Sequence, residues 1–121
     1  MTKFKNDYDL EKRTLTFSKN LITFLKNCPK TAITITLIDQ CLRSGTSIGA
    51  NYREANGASS KKDFQNKTFI CKKEAKESLY WLELLGNSFE EEKLKQECCK
   101  LWQEAKEFVL IFGKITASIK N

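Results

Sequence analysis

Apolar residues recur along this chain at alternating intervals of three and four, the rhythm of amphipathic helices that each present one face to a core. Leu10, Thr14, Phe17, Leu21, Phe24 and Cys28 predict a first helix over roughly 7–28, with Asp7 or Asp9 suited to its N-cap and Pro29 stopping it. Ile33, Leu37, Cys41, Ile48, Tyr52 and Ala55 predict a second over 31–56, capped by Thr31 or Thr34. Its opening, A-I-T-I-T-L-I, alternates like a strand, but no partner strand exists elsewhere in the chain, so helix is expected. Asn56-Gly57 can supply the left-handed residue that ends it. Ser60-x-x-Asp63 reads as a capping box for a third helix over 60–86, carrying Phe64, Thr68, Cys71, Ala75, Ser78, Leu82 and Leu85 inward. Gly86-Asn87 stops it. Ser88, with Glu90, Glu91 and Glu92 in the first turn, starts a fourth over 89–120, with Leu94, Cys98, Leu101, Ala105, Phe108, Phe112, Ile115 and Ile119 on its seam. Four amphipathic helices with short connections define an all-α fold, an up-and-down antiparallel four-helix bundle forming one domain over residues 1–121.

Two features of the second helix exceed what a bundle needs. Gly45 and Gly49 lie four residues apart, on or beside the apolar face. Each costs roughly 1 kcal/mol relative to Ala, which points to close approach of another backbone or a bulky side chain. A second stripe, Gln40, Arg43, Ser47, Asn51 and Glu54, runs next to the apolar face. It is either a solvated face or a semi-buried hydrogen-bonded seam. Ser and Asn are poor helix formers whose side chains compete for backbone bonds, so they suit a seam better than a plain surface. An antiparallel hairpin turning near residue 58 sets Arg43 opposite Glu74 and Gln40 opposite Glu77, a structural polar network that pins register. Trp81, Leu84, Trp102 and Val109 lie off the main seams and add apolar surface beyond one core, which predicts a homo-oligomer.

Composition then narrows the chemistry. Histidine is absent and the five cysteines include no C-x-x-C, so no metal site is expected. No nucleophile stands beside a base and no Gly-rich phosphate loop occurs, so the chain is read as not an enzyme, with no cofactor and no small-molecule substrate. Cys28, Cys41, Cys71 and Cys98 fall on apolar faces, as small buried thiols of a reducing cytoplasm would. The N-terminus has no signal-peptide pattern, and no apolar run approaches a membrane span. The formal net charge of +6 is concentrated in the first 30 residues and in 59–87. Lys12, Lys19, Lys26, Lys61, Lys62, Lys67, Lys72, Lys73 and Lys76 are therefore the candidate contacts to RNA or DNA backbones. The competing reading of the same residues is a solvated face on a scaffold that binds a protein partner.

The run Gln40 through Arg43-Ser44-Gly45-Thr46-Ser47-Ile48-Gly49-Ala50-Asn51 to Glu54-Ala55 resembles the signature of the bacterial four-helix bundle proteins, also called the ribosomal RNA intervening-sequence proteins. Ser60-Lys61-x-Asp63-Phe64, Lys73-Glu74-Ala75, Glu77 and Tyr80-Trp81-Leu82-Glu83-Leu84-Leu85 are similar to its second motif, and Leu10, Arg13, Phe17 and Pro29 to its weaker first helix. Lys76 departs from the acid often found there, and beyond Asn87 the likeness is only that of an amphipathic helix. The resemblance implies an up-and-down bundle, a homopentamer, and a distant likeness to the accessory variability protein of diversity-generating retroelements, a basic pentamer that works with nucleic acid. It implies no catalytic residues.

Overall fold

A computed structural model describes residues 2–119, with side chains from Asp9 onward. The elements are α1 (Thr2–Asn27), α2 (Ala32–Asn56), α3 (Lys61–Asn87) and α4 (Glu92–Ser118). Each helix packs on its neighbours in chain order and α1 closes the ring against α4, so the architecture is a four-helix bundle. The helices α2, α3 and α4 are closely apposed, whereas α1 is held more lightly, above all against α4.

The helix ends follow local chemistry, with three departures from expectation. First, α1 begins at Thr2 rather than near Asp7, because nothing between Lys3 and Asp9 breaks a helix; neither Asp is its cap. Second, α2 does not end in a left-handed glycine. Gly57 has φ −98° and no described residue has positive φ. The end tightens instead through i−3 bonds, Gly57 N–H to the Glu54 carbonyl at 3.1 Å and Ala58 N–H to that of Ala55 at 3.0 Å. Third, Ser88 closes α3 instead of opening α4: its hydroxyl donates to the Leu85 carbonyl at 2.6 Å. Glu91 then precedes α4 with no side-chain capping bond. The connection between them still contributes to the core, since Phe89 is buried edge-on against Phe24 with ring centroids 6.0 Å apart.

The strand-like opening of α2 is helical because Thr31 and Thr34 cap it reciprocally. The Thr31 hydroxyl accepts from Thr34 N–H at 3.1 Å, and Thr34 Oγ1 accepts from Thr31 N–H at 2.7 Å while donating to the Pro29 carbonyl. Thr34 thereby takes the inward position of this turn. Ile33, expected on the core face, is displaced to solvent and is 74% exposed. At α3, Ser60 Oγ accepts from Asp63 N–H at 3.0 Å, a one-sided cap in place of the reciprocal box expected there.

Most of the other inward positions are buried as the periodicity requires, from Leu10 to Cys28 on α1, Cys41 to Ala55 on α2, Thr68 to Leu85 on α3 and Leu94 to Phe112 on α4, whereas Leu37, Phe64, Ile115 and Ile119, toward the helix ends, are only half-buried. Phe17 meets Phe108 edge-on at 5.5 Å and Tyr52 meets Phe112 at 5.4 Å, which ties α1 and α2 to α4 across the core. Polar atoms inside are paired with one another: Ser78 donates to Ser44 at 2.9 Å, and Thr116 to Thr68 at 3.0 Å. The two α2 glycines admit α1. A Cβ on Gly45 would stand 2.2 Å from Leu21 Cδ2, and one on Gly49 would stand 3.1 Å from Thr14 Cβ.

Candidate nucleic-acid interface

The polar stripe of α2 divides into three parts. At its start, the Arg43 guanidinium donates to Gln40 Oε1 at 3.1 Å, to Glu74 Oε1 at 3.3 Å and to Glu77. Glu77 also accepts the Trp81 indole N–H at 2.8 Å. Gln40 thus supports Arg43 on its own helix and does not pair across to Glu77. In the middle, Ser47 and Asn51 bond backward, to the Arg43 and Ser47 carbonyls at 2.7 and 2.8 Å. At its end, Glu54 accepts from Lys67 at 2.8 Å, and this bond pushes the Lys67 ammonium pKa upward. The stripe is therefore two interhelical clasps separated by back-bonded small residues, on the rim between α2 and α3. Arg43 keeps 47% of its side chain exposed while Glu74 keeps 12%.

The lysines fall on two separate surfaces. Lys12, Lys19 and Lys26 are seven residues apart and all exposed, on the side of α1 opposite its apolar seam. On α3, Lys62, Lys73 and Lys76 are exposed on the outer face and make no salt bridge to a described residue. Lys61 is exposed at the first turn, Lys72 lies along α4 with its Cε 3.7 Å from the position of a Cβ on Gly113, and Lys67 is engaged by Glu54. Because α1 and α3 occupy opposite corners of the bundle, one protomer offers two basic rows, not one patch.

Among the described residues no group of three or more His, Cys, Asp or Glu is placed to hold a metal ion, and no helix is long and apolar enough to cross a membrane. Four thiols are buried and free, and Cys99 is exposed. Burial pushes the Cys28 thiol up to about 11 and those of Cys41, Cys71 and Cys98 up to about 12, so they are poor nucleophiles.

Residues 6–97 match the model of the 23S rRNA-intervening sequence protein family. The chain belongs to that family. The match covers α1 to α3 and stops early in α4, the helix whose sequence carries no more than amphipathic spacing. A protein of unknown function from the S23 ribosomal protein family of Bacteroides thetaiotaomicron VPI-5482 is similar in structure. It is 32% identical, with a TM-score of 0.77 over 89% of this chain and 98% of its own. No curated protein matches the chain.

Two features of this family member are not apparent from its pattern of residues. Arg13 donates twice to Glu104, at 2.7 Å from Nε and 2.7 Å from Nη2, and its guanidinium carbon stands 5.4 Å from the Phe108 ring centroid. The pair locks α1 to α4, the most lightly packed contact, and the bond to Glu104 raises the Arg13 pKa further. The partners are 91 residues apart, so only the tertiary fold brings them together. The second feature is the pair of exposed rings, Phe69 and Tyr80, in the outer lysine row of α3. Their positions at helical spacing from Lys62, Lys73 and Lys76 were readable, but an aromatic at such a position signals nothing until burial is known.

Proposed function

We propose that this chain is a non-catalytic, cytoplasmic, oligomeric bundle that contacts nucleic acid through the basic outer faces of α1 and α3. The observation that carries the reading is that Lys12, Lys19, Lys26, Lys62, Lys73 and Lys76 are solvent-facing and no described carboxylate neutralises them. Lysines free of partners release condensed counterions when they meet phosphates, which drives binding without reading sequence. Membership of a family named for intervening sequences in 23S rRNA supports RNA as one such polyanion. Oligomerisation multiplies each row, so weak patches gain by effective concentration.

Titration of labelled RNA and DNA at several salt concentrations tests this reading. Binding should be largely sequence-independent, and log affinity should fall with log salt by about 0.9 per duplex phosphate neutralised and about 0.7 per single-strand phosphate. Charge reversal of Lys12, Lys19 and Lys26, or of Lys62, Lys73 and Lys76, should weaken binding while helicity is retained. Absence of binding to either polymer at low salt removes the proposal. A second reading then stands, a scaffold for a protein partner. It is supported by the exposed Leu15, Ile22 and Leu42 on α1 and α2, of which Leu15 lines an α1–α2 groove of about 490 Å³ together with Gly49 and Ala50.

A further inference from the structure

On the outer side of α3, Lys62, Asn66, Phe69, Lys73, Lys76 and Tyr80 follow one another at intervals of four, three, four, three and four, and every one of them is exposed. That spacing sets them in a single file along the helix, about 27 Å from end to end at 1.5 Å per residue. The file contains no acid as far as Tyr80; its next position, three residues on, is Glu83, which accepts the Trp102 indole N–H at 3.1 Å. On the flank, Glu77 is engaged by Arg43 and Trp81, and Asp63 lies toward Lys67. The cations of the row are thus left to solvent. Two large rings stand among them, Phe69 with 54% and Tyr80 with 58% of its surface exposed.

Neither ring contributes to the core, and an exposed aromatic costs solvation without a contact to repay it. Tyr80 is also held in place. Its ring meets Trp81 edge-to-face at 5.1 Å, and Trp81 is fixed by its bond to Glu77, which Arg43 clasps. The clasp between α2 and α3 therefore steadies a neighbouring ring on the outer face of α3.

We infer that the outer face of α3 is a binding track for single-stranded nucleic acid, in which Lys62, Lys73 and Lys76 hold phosphates and Phe69 and Tyr80 each stack an unpaired base. This rests on the nucleic-acid reading above and deepens it by naming the strand state and the residues. Charge selects a polyanion, and the interleaved rings select unpaired bases, because a duplex has its base faces already stacked. A second copy of the chain fits the row poorly. From Lys62 to Tyr80 the row holds no acid to pair with the lysines of a second copy, and among the described residues no other helix presents an acidic row on its outer face.

The test compares a labelled single-stranded RNA of mixed sequence with the same sequence as a duplex, using the full chain and fluorescence anisotropy. The wild type should bind the single strand more tightly. Phe69→Ala and Tyr80→Ala should each lower single-strand affinity by roughly 5- to 150-fold and leave duplex affinity unchanged. Phe69→Trp and Tyr80→Phe, which keep a ring, should retain binding. Lys73→Glu with Lys76→Glu should weaken both substrates. Circular dichroism and sedimentation velocity accompany each variant. If both alanine variants bind single strands like the wild type while the lysine reversals do not, the stacking track is overturned and the electrostatic reading survives. If nothing binds at low salt, both fall. If the alanine variants change the sedimentation coefficient, the face is an interface between copies and the inference is overturned.

Discussion

At the scale of single residues, space and protons decide. Gly45 and Gly113 both sit inside helices, where Ala is favoured by roughly 1 kcal/mol. A Cβ at Gly113 meets only the flexible Lys72 stem, at 3.7 Å, whereas one at Gly45 drives into Leu21, itself fully buried. Gly113→Ala should therefore stabilise by up to about 1 kcal/mol, and Gly45→Ala should destabilise, because overpacking costs about 1–3 kcal/mol. Urea melts of the two variants check the opposite signs. The thiols give a second prediction. In the folded protein only Cys99 should react promptly with a thiol-specific disulfide reagent at pH 8, and all five cysteines should react after denaturation. The buried thiols titrate near 11 and 12 against an ordinary value of 9.0, so above pH 9 the unfolded chain loses protons that the folded one keeps. Their contribution is fully present below pH 9 and declines as pH rises, by about 1.4 kcal/mol per pH unit for each thiol at most. Denaturation midpoints at pH 8 and pH 10 should differ in that direction.

At the scale of elements, ion pairs join helices that hydrophobic contact alone holds unequally. Arg43 clasps α3, which α2 already grips closely, and the guanidinium remains half exposed. Arg43→Ala should cost about 1 kcal/mol, not the 3–5 kcal/mol of a fully buried pair. Arg13 joins α1 to α4 where packing is lightest and adds contact with the Phe108 ring to a two-pronged bond. Arg13→Ala should cost about 1–2 kcal/mol. Lys at that position should recover only part, since it cannot make two parallel bonds to one carboxylate. A double-mutant cycle on Arg13 and Glu104, read by chemical denaturation, should return a coupling of about 1 kcal/mol. A zero coupling would reduce the pair to an ornament of the surface.

For the molecule as a whole, the unequal seating of α1 and the apolar residues left outside argue for assembly. Leu15, Ile22, Ile35 and Leu42 are all partly exposed on α1 and α2, and Leu110 is exposed on α4. A bundle of 14.0 kDa gains by covering such surface with a further copy. Sedimentation equilibrium at micromolar concentration should give a mass several times that of the single chain. Leu15→Glu with Leu42→Glu should lower it while helicity persists. A monomer mass for the wild type would leave the exposed residues to a partner of another kind.

The helices, their inward faces and the pairing of Arg43 with α3 were legible in the chain, because a period near 3.5 in apolar residues and a short turn leave little choice of face or neighbour. The tight approach at Gly45 and Gly49 was legible for a related reason: a glycine's cost inside a helix calls for a compensation, though not for its identity. The chain was misleading where two local solutions compete at an end. Ser88 serves either helix beside it, Gly57 closes a turn without left-handed geometry, and Thr34 claims the inward place that hydropathy assigns to Ile33. What only tertiary structure decided is which lysines stay free. Lys67 meets Glu54 across a helix pair, Lys62, Lys73 and Lys76 form no salt bridge with a described acid, and the α1 row is turned to the opposite corner. Sequence spacing sets the face of one helix. The distance between side chains on different helices depends on how those helices pack, and that determines which charges and rings remain available to a ligand.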